Sequence, residues 1–331
     1  MNVIRHASDL PPGSRRVCLA IGVFDGVHLG HQQIIRQTVA DAQQHEAAAV
    51  VVTFDQHPNA IVAPDKVPPL IYSRSQKVRA IESLGANALL EIPFDREFSR
   101  QTGEQFIRSL ARDSGQIQSI CVGADFVFGH KRSGNVALLK QLGAELDFQV
   151  HGLAAVALDG ETVSSTRIRE AIHAGDFDSA SQMLGRAYSL AGLVTHGDHL
   201  GQQIGFPTAN LATPSLRLPP NGVYAAHVTR RTGIAPVTIQ SRAQAEQKIG
   251  DRRDACATHR AVLNIGVRPT LQNPTPAPRV EVHLLDFDGD LYGQELEVTF
   301  ASKLRAERKF GSLDELKAQI ARDIAEAKKS F

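Results

Sequence analysis

The sequence predicts an α/β chain in two parts. A parallel sheet wrapped by helices occupies residues 1–185, and an antiparallel β-barrel with one terminal helix occupies residues 186–331. Up to about Gly185, continuous apolar runs alternate with amphipathic stretches, the pattern of repeated βα units. Beyond it come short alternating runs punctuated by glycine, proline and asparagine, the pattern of an antiparallel barrel. The last stretch carries a helix-start signature and a helical apolar stripe.

Taken in order, Val17 to Val23 is an apolar, strand-like run that enters I-G-V-F-D-G-V-H-L-G-H-Q (Ile21 to Gln32). Ile34, Ile35, Thr38, Val39 and Ala42 then recur on one helical face. The stretch therefore reads as strand, glycine-rich turn and first turn of a helix. Ala48 to Phe54, rich in β-branched residues, reads as a buried parallel strand. Ser75 to Leu84 reads as a helix and Ala88 to Phe94 as a strand. Thr102 and Gln105 have capping-box spacing and open a helix through Phe106, Ile107 and Leu110. Ile117 to Val122 is a strand, Val136 to Leu142 a helix, His151 to Leu158 a strand and Thr166 to Ala174 a helix.

In the second part the strands are Leu190 to Val194, Gly222 to Val228, Ala261 to Ile265, Val280 to Leu285 and Glu295 to Phe300. Asp288-Gly289 marks a hairpin turn between the last two. Ser312 and Glu315 form a capping box, followed by the stripe Leu313, Leu316, Ile320 and Ile324. The polar segment Gln240 to Arg260 reads as a loop without chemistry of its own.

A chain of 331 residues has room for two sizeable cores. A net charge of +1 gives no general attraction to nucleic acid or membrane. No apolar run approaches membrane-spanning length, and no signal-peptide pattern opens the chain. Cys18, Cys121 and Cys256 lie far apart, and the first two sit in apolar runs, so they read as free thiols in a reducing, cytoplasmic setting. Nothing in the residue pattern sets an oligomeric state.

The chemistry concentrates where strands end. His28 and His31 flank a helix start, which offers unpaired backbone N–H groups and partial positive charge to a phosphate. Gly22, Gly26 and Gly30 allow an anion close to the backbone. The stretch is neither a Walker loop nor a G-x-G-x-x-G fingerprint. A zinc pair lacks cysteine or carboxylate partners nearby. H-x-G-H after a buried strand resembles the signature of α/β nucleotidylyltransferases. T-F-D-Q-H-P (Thr53 to Pro58) and G-A-D-F-V-F-G-H-K-R-S-G (Gly123 to Gly134) each follow a strand, and V-S-S-T-R-I-R (Val163 to Arg169) opens a helix with hydroxyls and two arginines. The four clusters share one rim rich in phosphate-binding groups.

These four clusters, in this order, resemble the adenylyltransferase half of the bacterial bifunctional riboflavin kinase/FAD synthetases. The resemblance implies a Rossmann-like nucleotidylyltransferase domain that transfers AMP from ATP to FMN, giving FAD and pyrophosphate. It implies triphosphate contacts from Gly22, Phe24, Asp25, Gly26, His28 and His31, and a phosphate clamp from Ser164, Ser165, Thr166 and Arg169. It implies flavin or nucleotide contacts from His57, Asp125 and Arg132. Two positions depart from the family pattern: Val127 stands where a basic residue is usual, and Gln56 where proline is usual.

In the second half, G-F-P-T-A-N-L (Gly205 to Leu211) projects the Thr208 hydroxyl and the Asn210 amide two residues apart, an oxygen pair that suits either Mg²⁺ or a hydrogen-bonded loop. With Asn221 to Ala225, Asn264 to Thr270 and Glu281 to Gly293, it resembles the riboflavin kinase module, in the family's order. The resemblance implies a barrel that phosphorylates riboflavin with ATP, with Thr208 and Asn210 at Mg²⁺. It also implies substrate contacts from Gly205, Pro207, Thr208, Asn210, Asn264 and Arg268, and Glu281 as general base. Asp286, Asp288, Asp290 and Glu297 have the spacing of a calcium loop, but Leu291 occupies the glycine position and the flanks read as strands.

Two other readings compete with the two-site enzyme: an active first half beside a binding barrel, and a flavin-binding regulator without turnover. Intact Pro207-Thr208-Ala209-Asn210 and Glu281 speak against the first. The presence of His28, His31 and Glu281 speaks against the second.

Overall fold

Side-chain alternation along the strand Arg16–Ile21 decides how the first sheet is covered. Val17, Leu19 and Ile21 enter one core, while Cys18 and Ala20 enter clusters on the other face. The computed structural model describes residues 1–10, 16–197, 201, 204–231, 257–267 and 278–331. Arg268, Cys256, Thr270 and most of the Gln240 to Arg260 loop lie outside the described residues. The chain forms two compact units, residues 1–168 with 183–185, and residues 169–182 with 186–331.

The first unit runs β1 (Asn2–Ile4), β2 (Arg16–Ile21), α1 (Leu29–Gln44), β3 (Ala48–Phe54), α2 (Asn59–Val62), α3 (Arg74–Glu82), β4 (Ala88–Ile92), α4 (Gly103–Asp113) and β5 (Gln116–Gly123). It continues through the small ladder β6 (Val127–Phe128) and β7 (Gly134–Asn135) to α5 (Val136–Leu146) and β8 (Gln149–Leu153). A second small ladder, β9 (Ala157–Leu158) and β10 (Glu161–Thr162), leads to α6 (Ser165–Ala174) and α7 (Phe177–Leu184), of which residues 169–182 cluster with the second unit. Six strands pair in the order β1-β4-β3-β2-β5-β8, every pair parallel. Helices α4 and α5 cover one face, α1 and α3 the other. The order reverses direction between β2 and β5, so the loops after these two strands border the crevice where open α/β sheets bind ligands.

Two local readings change. The short edge strand β1 carries no sequence signal of its own. The run His151 to Leu158 is not one strand: the sheet strand ends at Leu153, and Ala157–Leu158 pairs instead with Glu161–Thr162. The Thr102–Gln105 capping box is present in both directions. Cys18 and Cys121 are buried free thiols, and burial pushes the Cys121 thiol up to about 12.

The second unit holds β11 (Ser189–Thr195), β12 (Ala209–Ala212), β13 (Gly222–Arg231), β14 (Thr258–Gly266), β15 (Arg279–Leu284), β16 (Glu295–Arg305) and the terminal helix Leu313–Lys329. The strands close into an antiparallel barrel, β11-β12-β15-β14-β13-β16. Leu190, Leu211, Tyr224, Leu263, Ile265, Val280, Val282 and Val298 fill its interior. Strands β15 and β16 are not paired with each other, so Asp288-Gly289 turns the chain without making a hairpin. Closure explains this, because each of the two strands already has two other neighbours.

Ser312 Oγ caps the terminal helix by accepting the Glu315 N–H, while the Glu315 carboxylate accepts from Gly311 rather than from Ser312, so half of the expected box forms. Of the apolar stripe, Leu313 is 57 % exposed, whereas Ile324 packs against Val223, Ala225 and Val262. The helix is also tied by charge: Arg305 Nε and Nη2 grip both oxygens of Asp323 at 2.8–3.0 Å. Their side chains are 21 % and 6 % exposed. Arg305→Ala strands the Asp323 charge, and chemical denaturation should show a loss of about 3 kcal/mol.

Candidate active sites

In the first unit the chain leaves β2 through a turn that few sequences tolerate. Phe24, Gly26 and Val27 all have positive φ, at 53°, 76° and 42°. A side chain on Gly26 would press on Ile71, and one on Gly22 would press on the Phe24 ring. The buried Asp25 carboxylate accepts the N–H groups of Ile71 and Tyr72, at 3.0–3.4 Å. Asp25 therefore braces the turn. Gln32, one helical turn in, donates to Val27 O and Leu184 O.

His28 stands at the N-cap of α1, and His31 in its first turn. Their rings stack with centroids 3.6 Å apart, and Phe24 meets His31 edge-on at 5.2 Å. Burial, then the neighbouring His28, push the His31 imidazole well below its ordinary 6.5. His31 is therefore a neutral donor at pH 7, and any cationic charge on a bound phosphate comes from elsewhere. The linkage has a definite sign. Below 6.5 the unfolded chain binds a proton at this position that the folded chain does not. The stability tied to neutral His31 is whole above 6.5 and is lost as pH falls. Thermal unfolding of the first unit should drop on going from pH 7 to about 5.5, with a shallower drop in His31→Phe.

The fourth cluster, Val163 to Arg169, joins this turn through the Ser165 hydroxyl, which donates to Asp25 O at 3.1 Å. Ser164 Oγ accepts the Arg167 N–H at the start of α6, and Thr166 is exposed beside it. Arg169 lies further along the helix, among the residues that cluster with the second unit.

Beside the turn, Val23 borders a cavity of about 540 Å³ whose walls are phenylalanines 54, 94, 98, 106, 126 and 128. Successive rings lie 5.1–6.2 Å apart, mostly edge to face. Its mouth carries His130, Lys131 and Arg132, the last two in left-handed backbone at φ 52° and 57°. The cavity thus pairs an aromatic floor with a cationic lip. Val127, 48 % exposed, stands at its edge, and Gln56 donates to Phe94 O just outside. His57 accepts the Asn59 N–H, and Asp125 is exposed; both stand outside the cavity lining. Phe94 and Phe98 were not singled out from sequence. Their only signal is a pair four residues apart just past β4.

The barrel site follows from register. Asn210 of β12 and Asn264 of β14 both stand opposite Glu281 of β15. Because Leu211, Val280, Val282, Leu263 and Ile265 face the interior, these three polar side chains share the outer wall. With Thr208 they line one cavity of about 320 Å³, bounded across by Arg305, Glu307, Phe310, Leu316 and Ile320. A second cavity, about 420 Å³, is lined by Pro207, Thr208, Val282, Leu284 and the segment from Phe287 to Tyr292. Thr208 borders both. Gly205 makes the preceding turn at φ 90°, and His283 Nδ1 donates to Pro207 O at 2.7 Å, which pins the loop. Arg305, Glu307 and Phe310 escaped the sequence reading because they lie past the last strand it recognised, which continues to Arg305 rather than ending at Phe300.

The donor set at Thr208 and Asn210 is neutral, hard oxygen, and among the described residues no group of three or more His, Cys, Asp or Glu side chains could hold a metal. Such a pair fits a cation that keeps most of its positions for water and phosphate, as Mg²⁺ does.

A crevice-bordering H-x-G-H turn on a parallel sheet, with a barrel that sets a carboxylate beside a threonine and two asparagines, defines a two-unit transferase: one unit built for nucleotidylyl transfer and one for phosphoryl transfer. Residues 11–167 match the FAD synthetase family and residues 184–331 the riboflavin kinase family. The chain belongs to the bifunctional riboflavin kinase/FMN adenylyltransferases. It is 34 % identical to the protein of that name from Escherichia coli K12, over all of this chain and 98 % of the relative. It is 35 % identical to that of Pseudomonas fluorescens, over 99 % and 97 %. A crystal structure from Streptococcus pneumoniae, named as a macrolide-efflux protein, superposes with a TM-score of 0.75 at 27 % identity over 98 % of each chain. Among the described residues, no helix is long and apolar enough to cross a membrane.

Proposed function

We infer that this chain makes FAD from riboflavin in two ATP-dependent steps, with the functional division at residues 185 and 186. In the barrel, the 5′-hydroxyl of riboflavin attacks the γ-phosphorus of ATP, the bond to the β-phosphate oxygen breaks, and FMN and ADP result. Glu281 accepts the hydroxyl proton. The observation that carries this is the row Asn210–Glu281–Asn264, fixed by strand pairing and opening on the cavity that Thr208 shares. A base belongs with the acceptor, so riboflavin is placed in the cavity with Glu281 and ATP in the second cavity, meeting at Thr208. Thr208 and Asn210 would hold Mg²⁺, which when bound supplies positive charge to the phosphates. Gly205 and Pro207 shape that loop, and Arg268 belongs to the same proposed site.

In the first unit an FMN phosphate oxygen attacks the α-phosphorus of a second ATP, and pyrophosphate leaves. No protein nucleophile is needed; the residues position and stabilise. Gly22, Phe24, Asp25 and Gly26 set the turn, and His28 and His31 donate to the triphosphate. Ser164, Ser165, Thr166 and Arg169 complete the phosphate contacts. The aromatic cavity suits the flavin ring, with Arg132 at its mouth and His57 and Asp125 on the neighbouring rim. Buried free thiols at Cys18 and Cys121 support a cytoplasmic setting.

Incubation with riboflavin, ATP and Mg²⁺, with the flavins resolved by chromatography over time, should give FMN first and FAD later. FMN alone would refute the first-unit assignment, and neither product would refute both. Chelation of the metal should halt FMN formation, and added Mg²⁺ should restore it.

A further inference from the structure

Glu307 follows β16 on the way to the terminal helix and borders the same cavity as Asn264, Gly266 and Glu281. Its Oε2 accepts a hydrogen bond from Asn221 Nδ2, 3.1 Å away, just before β13. Its Oε1 lies over Gly266, so close that a Cβ on that glycine would run into it. Among the described residues, no protein group donates a hydrogen bond to Oε1. The carboxylate is thus fixed through one oxygen and presents the other along the cavity wall.

Register gives the direction. Gly266 lies two residues beyond Asn264 on β14, on the same outward face and roughly 7 Å further along the strand. Glu281 stands opposite Asn264. A ligand whose terminal hydroxyl sits at Glu281 and whose chain runs along the cavity wall toward Gly266 approaches Oε1. A carboxylate oxygen accepts and never donates, and a pentitol chain is a row of hydroxyl donors. The bare backbone of Gly266 leaves the space that the Glu307 carboxylate itself occupies, where any side chain would collide with the acceptor.

We propose that Glu307 is a specificity residue of the barrel site, its free oxygen accepting hydrogen bonds from the ribityl hydroxyls of the flavin. This rests on the barrel being the riboflavin kinase. Glu307 selects for the polyol chain and not for the ring, and it acts on binding rather than on the transferred phosphoryl group.

The test compares riboflavin with lumiflavin, the same ring system without the ribityl chain, by flavin fluorescence titration of the full chain and its Glu307→Gln variant. Glutamine keeps the volume and can still accept from Asn221. Riboflavin affinity should fall on the order of tenfold, the effect of losing charge-assisted hydrogen bonds, while lumiflavin affinity is unchanged. In turnover the loss should fall on KM for riboflavin and not on kcat. Retained lumiflavin binding shows that the cavity is intact. Equal weakening of both flavins would overturn the proposal, since Glu307 would then act on the ring or on loop shape; so would weakening of neither. A wild-type chain that neither bound nor phosphorylated riboflavin would overturn the kinase assignment itself, and this inference with it.

Discussion

Replacing His31 with alanine should cut FAD formation from supplied FMN by on the order of 10²-fold or more, the scale of losing a preorganised transition-state donor. Formation of FMN from riboflavin should stay within roughly twofold, since the barrel cavity is lined by other residues. The reason lies in how His31 is held. It rests between the edge of Phe24 and the face of His28, on the first turn of a helix whose N-terminus points at the crevice. Burial keeps it neutral, so its N–H is aimed without the cost of desolvating a cation during the reaction. His31→Gln, which keeps a donor of similar reach, should recover part of the lost rate. An alanine variant that lowered both half-reactions alike would mean that His31 only supports folding.

Glu281→Gln should have the complementary outcome. Riboflavin phosphorylation should fall by about 10²–10⁴-fold, the range for loss of a positioned general base, while FAD formation from supplied FMN is retained. Glutamine preserves the shape of the side chain opposite Asn210 and Asn264 but cannot take up the proton. The geometry leaves little freedom here: strand pairing on both sides fixes Glu281 opposite two asparagines, and the apolar Val280 and Val282 are locked inside the barrel. A one-residue slip would bury the carboxylate and expose two valines, so register and catalytic orientation are secured by the same burial.

The first sheet was legible because buried parallel strands are written as unbroken apolar runs. Val17 to Val23 and Ala48 to Phe54 needed no context. The reading failed where apolar character and sheet membership part. His151 to Leu158 stays apolar after the chain has left the sheet at Leu153, and Asn2–Ile4 is too short to announce itself. Asp288-Gly289 signals a reversal of direction but not a partner, and barrel closure gave β15 and β16 to other neighbours. Leu313 fits the helical stripe by spacing, yet it sits at the first turn, beyond the reach of the barrel wall. The motif residues were legible as points along the chain. The aromatic cavity was not, because its six phenylalanines come from four separate segments that only the fold brings together. Glu307 was hidden for a related reason: its meaning depends on a glycine some forty residues earlier in sequence and adjacent in space.

The central claim is that one chain carries two chemically independent sites, and mixing the two single variants tests it most directly. With riboflavin and ATP, His31→Ala alone should stop at FMN, and Glu281→Gln alone should make almost nothing. The mixture should produce FAD, because FMN released by the first variant is adenylylated by the second. A mixture that made no more FAD than either variant alone, when Glu281→Gln still converts supplied FMN, would contradict the account.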